Sequence, residues 1–193
     1  GGFCLHGVSL SEIRSSIRKK KVGERWPMWY NQKNERKGEK EMVDIHCHIV
    51  PEVDDGAWDL EAGLEMARIA VRCGVRRIIA TPHFKGTAES LENLSGIIGQ
   101  FRLLQEAVRR EKLDLELIPG VEVLCVPQTL ELARRGHLPP LGDSRYVLVE
   151  FYFDASAEFM DSALAELRRC GYRPVVAHPE RYGAVQRDPS LVH

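Results

Sequence analysis

From Met42 onward, strand-like apolar runs alternate with helix-like segments, and this alternation constrains the fold more than any other feature. The five strand-like runs are MVDIH (42–46), VRRIIATPH (75–83), LELIPGVEVL (115–124), RYVLVEF (145–151) and RPVVAHPER (173–181). Strands that alternate with helices form βαβ units around a parallel sheet. The sequence therefore predicts an α/β fold with about five βα units.

The segments between these runs have the apolar spacing of amphipathic helices. In 60–74, apolar residues recur at steps of three and four, and Gly74 is placed to end the helix. The segment 91–110 shows the same spacing, and 157–171 closes on Gly171. A shorter helix is predicted over 128–136.

Residues 1–41 differ from the rest of the chain. They carry a net charge of +5, against −6 for residues 42–193, and they lack periodicity. We interpret 42–193 as the folded domain and Met42 as the natural start, so that 1–41 is a non-native N-terminal extension that is vector-derived or translated from upstream. The alternatives are a disordered tail and a basic nucleic-acid-binding arm.

Composition excludes several classes of protein. No apolar run approaches the roughly 20 residues of a membrane span, and the order of charge and apolarity at the start is not that of a signal peptide. The five cysteines are scattered and form no C-x-x-C motif, which argues against a disulfide framework. None begins a C-x5-R loop, so a thiolate phosphatase is disfavoured. These features predict a cytoplasmic protein.

The first strand carries the clearest chemical signal. Side chains alternate along a strand, so His46 and His48 project to the same side and are able to hold one cation. Cys47 points to the opposite face and is expected to be a packing residue. Asp54 and Asp55 follow in the next loop. Each feature has a plainer explanation, since such histidines are often only hydrogen-bonded and paired acids often cap helices or face water.

The other four strands each deliver a comparable group. His83 ends the second strand, Glu122 and Glu150 lie in the apolar third and fourth strands, and His178 follows the fifth. Burying an unpaired carboxylate is costly, so an acid in an apolar strand needs a cation or donors. Carboxyl ends of parallel strands meet at one edge.

This convergence predicts a polynuclear metal site. Mixed imidazole and carboxylate ligands suit Mn²⁺, Fe or Zn²⁺ better than a structural thiolate zinc. Metals bridged by carboxylates activate water and neutralise charge on a phosphoryl group. Arg181, in the sequence AHPER, is a candidate for bidentate binding of phosphate, with a surface salt bridge as the alternative.

With these residues identified, the chain from Met42 to His193 resembles the polymerase and histidinol phosphatase (PHP) superfamily. The motifs DIHCHIVPEVDDGAWDLEAGLEMARIA, IIATPHF, PGVEV and AHPER resemble one branch of it. That branch comprises the manganese-dependent protein-tyrosine phosphatases of bacterial capsule and exopolysaccharide operons, the CpsB/CapC type. The resemblance implies a distorted TIM-like (β/α)7 barrel, of which this chain supplies about five βα units, with a trinuclear metal centre.

Site residues also follow from the resemblance. It implies that the metal ligands are His46, His48, Asp55, His83, Glu122, Glu150 and His178. Glu150 is implied to be either a ligand or a residue that supports the ligands, and Asp54 to be a neighbour of Asp55. Arg181 is implied to be the phosphate-binding arginine. The resemblance also implies catalytic roles for Arg181 and Asp55. The implied partner is the phosphotyrosine tail of a bacterial tyrosine autokinase.

One departure from the family pattern leaves alternatives open. The family's late D-x-H motif is not found after His178, so the chain is expected to be a C-terminally truncated phosphatase. One alternative is a histidinol-phosphate or other small-molecule phosphoesterase. Another is an inactive fragment that acts only by binding, to a kinase or to its own copies as a homo-oligomer. No membrane or nucleic-acid partner is expected under the main interpretation.

Overall fold

A computed structural model describes residues 42–192 of the chain, and the predicted N-terminal extension, 1–41, lies outside the described residues. The seven strands are β1 (Met42–Cys47), β2 (Val75–Ala80), β3 (His83–Phe84), β4 (Glu116–Pro119), β5 (Glu122–Leu124), β6 (Tyr146–Glu150) and β7 (Arg173–Val176). The helices are α1 (Leu60–Arg72), α2 (Ala88–Arg110), α3 (Pro127–Arg134), α4 (Ala157–Arg169) and α5 (Gly183–Arg187), with 3₁₀ turns at Pro179–Arg181 and Pro189–Val192.

All strand pairs are parallel, which confirms the predicted α/β class. The strands form two sheets, with the orders β1-β2-β4 and β3-β5-β6-β7. The predictions of one continuous strand over 75–83 and another over 115–124 are wrong. Each breaks beside a proline, which has no N–H for the ladder. The residues between β2 and β3 still bond to the neighbouring strands: Thr81 N donates to Cys47 O (2.9 Å), and Pro82 O accepts from Glu122 N (3.0 Å).

The helix boundaries follow from capping groups. Asp59 accepts a hydrogen bond from Ala62 N at 2.7 Å and starts α1. Thr87 and Ser90 cap α2 reciprocally, so this helix begins three residues before the predicted start. As predicted, Gly74 and Gly171 follow the ends of α1 and α4, with φ of +87° and +89°.

The core divides between the sheets. One cluster joins β1, β2 and β4 to α1 and α2 and includes Ile78, Phe101 and Leu104. A second joins the four-stranded sheet to α3 and α4, and it takes Val147 and Val149 from β6. Leu148, between them, faces a third small cluster with Leu141 and Ala177 on the other face of the sheets. Helices therefore cover one face, and the candidate site lies at the carboxyl ends of the strands.

None of the helices within 42–192 combines the length and apolarity needed to cross a membrane.

Candidate metal centre

The end of β1 places two imidazoles against one buried carboxylate. His46 lies on the strand and His48 just beyond it, with their Nε2 atoms 3.3 Å apart. Each Nε2 lies 3.1 Å from Oε2 of Glu122, the first residue of β5. The H-x-H motif thus directs both rings towards Glu122. This residue is 1% exposed, as its position in an apolar strand predicted.

The loop after β1 folds back onto His48. Ala57 N donates to His48 O at 3.0 Å, and a Cβ at Gly56 would lie only 2.0 Å from that oxygen, so glycine permits the approach. The loop brings Asp54 Oδ2 to 2.7 Å from Nδ1 of His48. The same oxygen accepts the backbone N–H of His83 at 3.0 Å. Asp54 therefore fixes one ring and one strand end.

His83 connects the acids on the more open side of the cluster. Its Nδ1 lies 3.0 Å from Glu150 Oε1 and 3.3 Å from Glu122 Oε2. Its Nε2 lies 3.5 Å from Oδ1 of Asp55, whose side chain is 82% exposed. Asp55 marks the solvent side of the site.

His178 closes the cluster from the end of β7. Its Nε2 lies 3.0 Å from Glu122 Oε1 and 3.8 Å from Glu150 Oε2. The residue has φ of +31° and ψ of +56°, a left-handed conformation that costs free energy in a residue with a Cβ. The prediction of a strand through 173–181 is wrong, since β7 ends at Val176 and Pro179–Arg181 forms a 3₁₀ turn. Strain at this position accompanies the inward turn of His178.

Electrostatics within the cluster favour added positive charge. Burial alone would raise the pKa of Glu122, but the imidazoles of His46 and His48 at 3.1 Å outweigh it and hold that pKa below its usual range. The Asp54 and Glu122 carboxylates raise the pKa of His48 to about 10. Burial and the charge of Glu122 raise the pKa of Glu150. The carboxylates therefore favour positive charge beside them, whether a protonated imidazole or a metal cation supplies it.

The residues present fit metal ions. Three sets of donor atoms each lie within 4.8 Å of one another: His46, His48 and Glu122; His48, Asp55 and His83; and His83, Glu122 and Glu150. Within the described chain, Glu122 Oε2 and His178 Nδ1 are buried and form no hydrogen bond. The Nε2 atoms of His46 and His48 lie 3.1 Å from that Glu122 oxygen. A histidine held by a carboxylate through its second nitrogen, as Asp54 holds His48, is typical of metal ligands.

The structure brings together all seven residues predicted as metal ligands, and Arg181 follows His178 by three residues, at the end of the 3₁₀ turn. The Arg181 side chain is 62% exposed, and its nearest recorded acid is Glu180, with Nε 3.9 Å from Oε1. Cys47 packs against the core of the three-stranded sheet, as predicted. Asp54 was predicted only as a neighbour of Asp55, although the two adjacent acids are visible in the sequence.

Tyr182 is a site-supporting residue that the sequence did not predict. Its buried hydroxyl accepts a hydrogen bond from Phe151 N at 3.2 Å and donates to Ala177 O at 2.9 Å. Tyr182 thereby ties the end of β6 to the end of β7, where Glu150 and His178 lie. A tyrosine in a loop carries no sequence signal for this role.

Comparison with known proteins relates this chain to one family. Residues 42–193 match the family described as capsular polysaccharide synthesis, CpsB/CapC. The chain is 38% identical over 152 residues to tyrosine-protein phosphatase YwqE of Bacillus subtilis (strain 168), covering 79% of this chain and 59% of that protein. It is 35% identical over 152 residues to tyrosine-protein phosphatase CpsB of Streptococcus pneumoniae, covering 78% of this chain and 62% of that protein.

A solved structure gives the same relationship. The fold matches a chain from the crystal structures of YwqE from Bacillus subtilis and CpsB from Streptococcus pneumoniae, described as unique metal-dependent tyrosine phosphatases. The TM-score is 0.67 and the identity 36%, covering 78% of this chain and 61% of that chain. The chain thus spans about three fifths of the length of these relatives.

Proposed function

Because this chain belongs to the CpsB/CapC family of capsular polysaccharide synthesis, we propose that it is a metal-dependent protein-tyrosine phosphatase. The observation that carries the proposal is the cluster around Glu122, where three sets of imidazole and carboxylate donors share members. Its relatives YwqE and CpsB are named tyrosine-protein phosphatases. Hydrolysis of a phosphate monoester suits a site of this composition.

The proposed metal ligands are those predicted from the sequence: His46, His48, Asp55, His83, Glu122, Glu150 and His178. Mn²⁺ is the proposed cofactor, with Fe and Zn²⁺ as alternatives that the same donors accept. When bound, such ions make water a stronger nucleophile and neutralise charge on phosphoryl oxygens. The donor sets, three in number, are in keeping with the trinuclear centre expected from the resemblance.

The remaining residues hold the ligands and the substrate. Asp54 fixes the ring of His48 with Nε2 directed inward. Asp55 Oδ1 lies 3.5 Å from His83 Nε2 and 3.9 Å from His48 Nδ1, and in this proposal its exposed carboxylate accepts a proton from the attacking solvent molecule. Arg181 extends from the 3₁₀ turn beyond His178, and its exposed guanidinium is free to form two hydrogen bonds with phosphate oxygens.

For the architecture, we propose the distorted (β/α)7 barrel of the PHP superfamily, with five of its units in this chain. Successive βα units lie side by side in chain order, from β1 through β2 and β4, and from β3 through β5 and β6 to β7. Sequential order of parallel strands is the pattern of an αβ barrel. Residues 42–193 form this proposed domain, and 1–41 are proposed to be a basic N-terminal extension to it.

The proposed substrate is phosphotyrosine on the tail of a bacterial tyrosine autokinase in the cytoplasm, whose dephosphorylation regulates capsule or exopolysaccharide synthesis. The test measures phosphate release by the chain with Mn²⁺ from a phosphotyrosyl tail peptide and from histidinol phosphate. We expect turnover of the peptide, loss of it with a chelator, and recovery on adding Mn²⁺ back. Preference for histidinol phosphate would refute the substrate, and activity that survives chelation would refute the metal.

A further inference from the structure

An exposed aromatic ring stands beside the metal centre and takes no part in it. Phe153 follows β6, three residues after Glu150, and is 58% exposed. Its ring centroid lies 6.3 Å from that of His178, with the ring planes at 66°. Among the exposed Phe, Tyr and Trp side chains of residues 42–192, Phe153 is the one whose ring contacts a histidine of the cluster. An exposed aromatic ring at the edge of a polar site is available to contact an apolar part of a bound ligand.

The backbone and a neighbouring ring hold Phe153 in place. Gly183 N donates to Phe153 O at 2.8 Å, and Ala155 N closes the turn on Tyr152 O at 2.9 Å. The ring of Tyr182 lies behind Phe153, with centroids 6.4 Å apart, and Tyr182 is fully buried. Phe153 is therefore anchored on one side and open on the other, and little ordering is needed when a ligand binds.

We propose that Phe153 selects aryl phosphates, because its open face packs against the phenyl ring of phosphotyrosine while the phosphoryl group lies in the cluster. The inference rests on the proposed phosphatase function and adds a specificity residue to it. In an aryl phosphate a single oxygen separates phosphorus from the ring, so a ring bound through its phosphate lies in the first layer of side chains around the cluster. Phe153 occupies that layer, in contact with His178. Aromatic pairs in offset or edge-to-face contact add affinity that an alkyl phosphate cannot obtain.

The test compares Phe153→Ala with the unmodified protein on two peptides of one sequence, phosphotyrosyl and phosphoseryl, both with Mn²⁺. We expect the KM for the phosphotyrosyl peptide to rise roughly two- to tenfold, the range given by one aromatic pair. The kcat for that peptide and both constants for the phosphoseryl peptide should stay near their original values. Phe153→Tyr should restore the KM. The matched control is Tyr146→Ala, an exposed aromatic at the opposite, amino end of β6.

A second readout does not depend on turnover. Calorimetry of the Mn²⁺-loaded protein should give tighter binding of phenylphosphonate than of methylphosphonate, and Phe153→Ala should remove that preference. Equal binding of the two phosphonates by the unmodified protein, or an equal KM change for both peptides, would overturn the inference. A preference for phenylphosphonate that depends on Phe153, without hydrolysis of any phosphate ester, would instead overturn the proposed function and leave the aryl site standing.

Discussion

Asp54 Oδ2 lies 2.7 Å from His48 Nδ1, and this contact leaves the opposite nitrogen of the ring facing Glu122. A carboxylate in this position fixes both the ring orientation and the nitrogen that carries the proton. Asp54 thereby acts on the cluster through His48 and through the backbone of His83, to which it is also bonded. The effect of Asp54 on metal binding can therefore be measured separately from the effect of the ligands themselves.

We therefore expect Asp54→Asn to weaken Mn²⁺ binding about 10- to 100-fold, the usual effect of losing such a partner. An amide accepts a weaker hydrogen bond and leaves the ring free to turn. Titration calorimetry of the metal-stripped protein measures the change. Asp59→Asn is the control, because Asp59 lies in the same loop and only caps α1. Unchanged affinity in Asp54→Asn would show that Asp54 does not position His48.

Glu122 is shared between two of the three donor sets, so its removal should affect more than one ion. We expect Glu122→Gln to lower the bound Mn²⁺ per chain, with the set formed by His48, Asp55 and His83 retaining the remainder. Metal analysis after gel filtration gives the count, and circular dichroism checks the fold. Glu116→Gln serves as the control, since Glu116 begins β4 and pairs with Arg77 at 3.0 Å away from the cluster. Full metal content in Glu122→Gln would contradict a role in binding.

Two glycines should respond to alanine with opposite signs. A Cβ at Gly56 would fall 2.0 Å from His48 O and 2.4 Å from His48 Cβ, so Gly56→Ala must displace the loop that carries Asp54. Gly96 lies within α2 with nothing near its missing Cβ, so Gly96→Ala should raise the free energy of unfolding by up to about 1 kcal/mol. Urea denaturation compares the two. A destabilised Gly96→Ala or a neutral Gly56→Ala would contradict the local packing.

The phenol of Tyr172 is buried, and its oxygen accepts a hydrogen bond from Leu138 N at 3.2 Å. Tyr172→Phe leaves that N–H without a partner, so we expect a loss of about 1–3 kcal/mol in the free energy of unfolding. Tyr146→Phe, at an exposed site, should change it little. Denaturant unfolding at neutral pH distinguishes the two, and equal stability of both variants would rule out the buried bond.

Burial also raises the pKa of Tyr172 to about 12, above its value of roughly 10 in an unfolded chain. Between these values the unfolded state loses its proton before the folded state does. Stability from this group is therefore complete below pH 10 and declines as pH rises towards 12. Because Tyr172→Phe lacks this phenol, its stability should fall less steeply across that window.

The sequence predicted the βα alternation and the meeting of polar groups at strand ends because both follow from short-range patterns. Apolar spacing marked α1 and α4, and an acid inside the run PGVEV marked Glu122 as buried. The splitting of the second and third strands was not predictable, because the proline signals at Pro82 and Pro119 do not say which sheet the chain then joins. That choice depends on pairing between residues far apart in sequence.

Within the site, it was easier to predict which residues take part than to predict the role of each one. Asp54 and Asp55 are adjacent and chemically identical, yet one is buried against His48 and the other is exposed beside His83. The difference comes from the backward turn at Gly56, a tertiary contact without a sequence motif. The same holds for Tyr182 and Phe153, whose positions depend on how β6 and β7 end.

The donors come from both sheets: His46 from the three-stranded sheet, and His83, Glu122 and Glu150 from the four-stranded one. An ion held between His46 and Glu122 would link the two sheets across the seam between them, where Thr81 and Pro82 connect β2 to β3. Loading the protein with metal should therefore slow amide hydrogen exchange along that seam, even in segments that supply no ligand.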